Sequence, residues 1–233
     1  MLDLKEEQKY EELRKLAQEL HIPIPEAFLE LEVTDKDGKV IQRHKQRSHS
    51  WTRNAYNLMF SQLAGKNGND GTFGAGLLSG KNTGGVILAI PYPLAIVLSD
   101  ASADVAPNGY MAGSGVDTRG IMVGSGINAE SFEDFALQTK ITNGVAAGQL
   151  SYVASAAHVI SYDALSKVLK NTLIRYFNNN SGGDVSVNEV AIVSYGWGAT
   201  TVLMARDKLA LTVTIPNTGQ LKVTYTVQLT FPS

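Results

Sequence analysis

Two kinds of hydrophobic pattern follow one another along this chain, and their order predicts its architecture. Asp3 stands before a run in which Tyr10, Leu13, Leu16, Ala17 and Leu20 recur at helical spacing, with Glu6 placed to complete the cap and Pro23 to stop the helix. The stripe is narrow, and a short helix alone in water is marginal, so the rest of the chain or a neighbouring subunit has to cover it. Its position predicts an N-terminal helical arm over residues 1–25, joined by Pro23 and Pro25 to a body over residues 26–233. After that hinge FLELEVT alternates apolar and acidic residues, DKDG supplies a turn and KVIQRHKQRSH runs back, which predicts a β-hairpin over about residues 28–49. Ser50 then reads as the N-cap of a second helix over residues 51–64, with Gly65 as its C-terminal cap. Trp51, Ala55, Leu58 and Met59 mark its buried face, extended by Tyr56, Phe60 and Leu63.

Period-two patterning dominates the last third. Gln149 to Tyr162, Lys167 to Phe177, Val185 to Ser194 and Thr201 to Ala205 are short strand-like runs separated by turn residues such as NNNSGG. From Leu221 to Phe231 the alternation is unbroken, with Leu221, Val223, Tyr225, Val227, Leu229 and Phe231 on one face and Lys, Thr and Gln on the other. One dry face and one wet face mean antiparallel sheet. The predicted class is mainly β: an antiparallel, jelly-roll-like β-sandwich with the N-terminal helix and one further helix. Glycine- and asparagine-rich stretches near residues 65–85 and 99–120 read as long loops, where binding usually resides.

Composition narrows the functions open to such a body. The net charge is -2, from 20 basic and 22 acidic residues, which gives no global field toward nucleic acid or an anionic membrane. The chain has no cysteine, so disulfides, thiolate metal sites and cysteine nucleophiles are excluded together. The charged start lacks the apolar core of a secretory signal, and no run approaches a membrane span. A protein used without crossing a membrane by the general secretory route is expected.

Candidate chemistry is sparse. Gly124-Ser125-Gly126, after Gly120 to Val123, resembles the front of a dinucleotide-binding loop, but Ala129 stands where the third glycine belongs and no βαβ pattern surrounds it. Ala75 to Thr83 approaches a phosphate loop without its first glycine and without a hydroxyl at Asn82. Ser114 and Ser125 lack the frame of a nucleophile elbow, and His158 lies in an alternating run. Glu130, Glu133 and Asp134 could form a hydrolytic carboxylate pair, although a solvated turn explains them with less. Asp35 and Asp37 resemble the opening of a calcium loop that Gln46 fails to close, and Asp100 with Asp104 is a further calcium option. In RHKQRSHSWTR, Arg43, Lys45, Arg47 and His49 share one face and Arg53 follows. They offer contact to phosphate or to an acidic face of another subunit, or else a solvated strand. The opposite face, Gln42, His44, Gln46 and Ser48, is polar too.

Lys45 to Ser50, Trp51 to Phe60, Ile121 to Gly126, Asp134 to Ile141, Arg175 to Val193, Leu203 to Asp207 and Val213 to Thr226 together resemble a group of tailed-bacteriophage virion proteins, among tail and capsid-accessory components. The match covers most of residues 40–230. It implies a virion subunit, made in the host cytoplasm, that works by self-assembly and contacts with other virion proteins, without catalysis or a cofactor. A homo-oligomer is expected. The candidate contacts are Leu13, Leu16 and Leu20 on the first helix and Arg43, Lys45, Arg47 and Arg53 beyond it. An alternative reading is a tail module that binds a host receptor glycan through its long loops and through Tyr92, Tyr110 and Trp197. Nucleic acid is a less favoured partner, and no membrane contact is expected. In the virion reading the VGSG glycines allow a strand to exit through φ values that other residues avoid, with Phe132, Asp134 and Phe135 pinning the crossing.

Overall fold

The structure is a computed structural model and describes residues 3–64, 79–89, 109–195 and 200–231. Tyr92, Asp100, Asp104, Trp197 and most of the two long-loop stretches lie outside the described residues. Asp3 caps helix α1 (Leu4–Leu20), its carboxylate accepting from the backbone N–H groups of Lys5 and Glu6. Strands β1 (Ile24–Thr34) and β2 (Val40–Ser48) form the expected hairpin. Asp35 Oδ1 closes its turn by accepting from Asp37 N and Lys39 N, with Gly38 at positive φ.

Helix α2 (Arg53–Ala64) begins two residues later than the pattern suggested. Ser50 and Trp51 are extended: the Ser50 carbonyl accepts from Arg206 N, and Trp51 bridges to Ala205. The buried face also differs. Asn54, Ala55 and Ser61 are buried, whereas Tyr56, Met59, Phe60 and Leu63 are exposed. Hydrogen bonds hold the helix instead: Asn54 Nδ2 donates to the carbonyls of Lys81 and Leu203, Asn54 Oδ1 accepts from Lys81 N, and Asn57 donates to Ser79 O.

The remaining strands are β3 (Ser79–Lys81), β4 (Ile87–Ala89), β5 (Gly120–Gly124), β6 (Ser151–Tyr152), β7 (Val159–Asp163), β8 (Val168–Asn178), β9 (Val185–Tyr195), β10 (Thr201–Ile215) and β11 (Gln220–Thr230). Among the described residues all strand pairings are antiparallel. The large sheet runs β2-β1-β11-β8-β6, with β7 also on β8; the small one runs β10-β9-β5, and β3-β4 is a separate hairpin. The run from Gln149 to Tyr162 is thus two short strands, β6 and β7. The one starting at Thr201 continues to Ile215 through two register shifts against β9.

The two sheets pack face to face, as expected for a sandwich. From the large sheet Leu29, Leu31, Val33, Leu173, Phe177, Leu221, Val223 and Tyr225 enter the core; from the small one Val187, Val193, Val202 and Val213 do. Val202 to Asp207 are buried without alternation, because the Arg53–Ala64 helix and the 125–141 loop cover the other face of β10. At one edge β2 is sewn to β10 by side-chain amides. Gln46 donates to Lys208 O and accepts from Ala210 N; Gln42 donates to Thr212 O and accepts from Thr214 N. The polar face of KVIQRHKQRSH is therefore covered by its own chain.

Candidate assembly surface

Buried charged groups organise the body. Glu189 is fully buried in β9. Its carboxylate accepts from Gly126 N at 3.1 Å, Thr139 N at 2.8 Å, Gln138 N at 3.0 Å and Arg206 Nε at 2.6 Å. Arg206 in turn donates to Asp134 Oδ2 at 2.9 Å and to the carbonyls of Asn128 and Ala129. Burial pulls this guanidinium down, but the pairs with Glu189 and Asp134 outweigh it and hold Arg206 above its ordinary value.

This cluster answers what the VGSG glycines are for. Gly124 and Gly126 are absent from the positive-φ residues, so conformational freedom is not their role, contrary to the expectation. A β-carbon on Gly124 would stand 2.6 Å from the Thr139 carbonyl oxygen, and one on Gly126 would stand 2.6 Å from Glu189 Oε1 and from Gln138 Cβ. The glycines let the loop close onto the Glu189 carboxylate. Gly126→Ala is expected to cost about 1–3 kcal/mol by overpacking, read as a lower urea midpoint at unchanged m-value. A loss within experimental error would refute the close-approach reading.

Arg175, fully buried in β8, has no carboxylate partner among the described residues. It donates to the carbonyls of Gly113, Val116, Arg119, Ile121 and Val153 and lies over the Tyr152 ring. Burial lowers it to about 10, so it stays charged at neutral pH. Asp207, adjacent to Arg206 and pointing to the other face, meets Ser48 Oγ at 2.8 Å and Tyr225 OH at 3.3 Å. Its Oδ1 is buried without a hydrogen-bond partner among the described residues.

The basic stripe is paired within the chain. Strand register sets Arg43 opposite Glu32 and Lys45 opposite Glu30, and each forms an ion pair on the exposed face. Such exposed pairs contribute little stability. Arg53 pairs with Glu133 and stacks on Phe132. Arg47 is only 2% exposed, covered by the first helix of its own chain. It lies between the Tyr10 and Phe28 rings, 3.6 and 4.7 Å from their centroids, and binds Glu7 at 2.6 Å and Glu26 at 2.7 Å. Glu26 also accepts from Arg14 and Gln228. Burial would raise Glu26, but these hydrogen bonds outweigh it and hold the carboxylate below its ordinary value.

The first helix thus lies on the outer face of the large sheet through Glu7, Tyr10, Arg14 and Ala17. Leu13, Leu16 and Leu20 remain exposed, at 44, 52 and 57%. The three candidate carboxylates do not converge on one site: Glu130 accepts from Lys208 N, Glu133 pairs with Arg53 and Asp134 with Arg206. Tyr110 packs against the core.

A second apolar surface lies where the large sheet outruns the small one. The row Leu29, Tyr225, Leu173 is buried, while the next rows on that face are Ala27, Val227, Asn171, Ile160 and then Pro25, Leu229, Leu169, Tyr162. Ile160 is 66% exposed, and Tyr162, in edge contact with Phe231, is 57% exposed. Pro25, Ala27 and Val227 also form one wall of a cleft of about 210 Å³ whose other wall is Trp51, Ala55, Tyr56 and Met59. Sheet end, cleft and helix flank form one apolar surface. No helix among the described residues is long and apolar enough to cross a membrane. No protein-family model, curated protein or solved structure matches the chain.

Proposed function

We propose that this protein is a structural subunit that acts by assembling, through the apolar end of its large sheet, with copies of itself. The observation that carries the reading is the course of β11. Its single alternating face is buried at Leu221, Val223 and Tyr225 and surfaces at Phe231, while the strands beside it expose Ile160, Tyr162 and Leu169. Contiguous apolar surface of this kind marks interaction sites on soluble proteins. Asp207 apart, the buried charges are tied up in internal pairs and carbonyl cradles, which suits a rigid body. The resemblance of residues 40–230 to tailed-phage tail and capsid-accessory proteins supplies the setting we propose, a virion.

Light scattering across a concentration series tests the reading. The expected result is a discrete multiple of the single-chain mass. Ile160→Glu and Leu169→Lys alter exposed positions and leave the core intact. Burying each of these side chains is worth about 1.5–3 kcal/mol, so each variant should weaken association by about tenfold or more. A monomer at every concentration would rule out self-assembly.

A further inference from the structure

We infer that α1 is exchanged between subunits, each chain's helix occupying the Arg47/Glu26 seat of a second copy. The inference rests on the assembly reading above and names the segment that one copy lends another.

The first argument is charge complementarity. The helix is held almost entirely by polar contacts: Glu7 and the Tyr10 ring on Arg47, Arg14 on Glu26, and Glu6 at 3.5 Å from His49. Ala17 is its only buried residue. These contacts specify one helix face, and a second copy presents the same face, so an exchanged pair keeps every one of them. The seat also tolerates an open state. Arg47 and Glu26 bond each other at 2.7 Å, and Glu26 keeps Gln228, so lifting the helix leaves neither charge unpaired.

The second argument is the hinge. Only residues 21–23 separate Leu20 from β1, and His21 sits in the left-handed region at φ 54, where glycine is the usual residue. A connection this short invites exchange between copies. The third is the leucine face. Leu16, Leu20 and Ile22, each about half exposed, lie at the hinge end of the helix. In a two-fold exchanged pair the hinge ends lie nearest the axis, where the two copies of this face cover one another.

The absence of cysteine makes a clean test. Glu6→Cys and His49→Cys place one thiol on the helix and one beside the seat, away from the Arg47/Glu26 pair. The two single variants are co-expressed as full chains with distinguishable tags and treated with a short bismaleimide. Exchange predicts a covalent dimer carrying both tags, in up to half of the chains. The double variant should give covalent dimers in preference to an internally bridged single chain. A four-residue Gly/Ser insertion after Ile22 should relax the connection and shift the double variant toward the internal product. If light scattering finds an oligomer but only internal bridges form, the exchange is overturned and assembly through the sheet end stands. If the protein is a monomer with internal bridges, both fail.

Discussion

Replacing Glu189 with alanine is expected to remove about 3–5 kcal/mol of folding stability, because breaking a buried ion pair leaves an uncompensated charge. Arg206, itself 2% exposed, would keep only Asp134 and two carbonyls, and the N–H groups of Gly126, Gln138 and Thr139 would lose their acceptor. A single domain has about 5–15 kcal/mol in total, so the variant should approach the unfolding threshold at physiological temperature. Urea titration reads the loss. Limited proteolysis should show the 127–140 segment opening first, since these hydrogen bonds are among its anchors. A double-mutant cycle with Arg206→Met and Glu189→Gln separates pairing from packing: the double variant should lose less than the two singles summed. A loss below about 1 kcal/mol for Glu189→Ala would mean the cluster is not what ties the loop to the small sheet.

The second large effect depends on pH. Asp207 is fully buried, and burial pushes its carboxyl from 3.8 up to about 7, with Glu130 adding to the rise and Ser48, Tyr225 and His49 opposing it. The sign follows from proton binding. A carboxyl raised in the folded state holds its proton when the unfolded chain has released it, so stability falls as pH rises from about 4 to about 7, and the full cost is felt above. That interval corresponds to roughly 4 kcal/mol. Asp207→Asn keeps an acceptor for Ser48 and removes the titration. Relative to the parent it should gain stability steadily between pH 5 and pH 8, with the larger advantage at pH 8. A stability difference independent of pH across this range would show that Asp207 does not titrate there. The parent itself should be firmest in mild acid, where the Glu26 carboxylate, held below its ordinary value, is still ionised.

Much of the fold was legible because hydrophobic spacing is set by backbone geometry. The Asp3 cap, the hairpin around DKDG, and the strands at Lys167, Val185 and Leu221 follow from periods of 3.6 and 2 that any packed chain obeys. The pairing of Glu30 and Glu32 with Lys45 and Arg43 was available as well: acids at every second position of FLELEVT face bases at every second position of the returning strand. A hairpin with one turn fixes the register that joins them. The second helix was placed two residues too early because Ser50 and Trp51, good starters locally, are claimed by backbone pairing to β10, a segment more than 150 positions away.

The charged residues inside apolar runs carried a signal that spacing alone could not resolve. Glu189 in VNEVAIV, Arg206 and Asp207 in LMARD, and Arg175 in RYF each sit where a strand is buried, and a buried charge demands a partner. The partner is long-range. Glu189 meets Arg206 because β9 and β10 are adjacent. Arg175 meets carbonyls from two segments, the 113–121 stretch and Val153, because β8 lies under them.

The sequence by itself determined the periodicities, the turns and the exclusion of thiol chemistry, since these depend on neighbours along the chain. Which of two equally apolar stretches is core and which is surface was decided by tertiary structure alone. Leu221 and Phe231 belong to one unbroken alternation, yet one is covered by the small sheet and the other lies beyond its end. The same holds for α1, where Tyr10 and Ala17 face the sheet and Leu13, Leu16 and Leu20 do not, because the Arg47/Glu26 seat fixes the helix's rotation. Burial is a property of what lies opposite, and the chain order does not contain that.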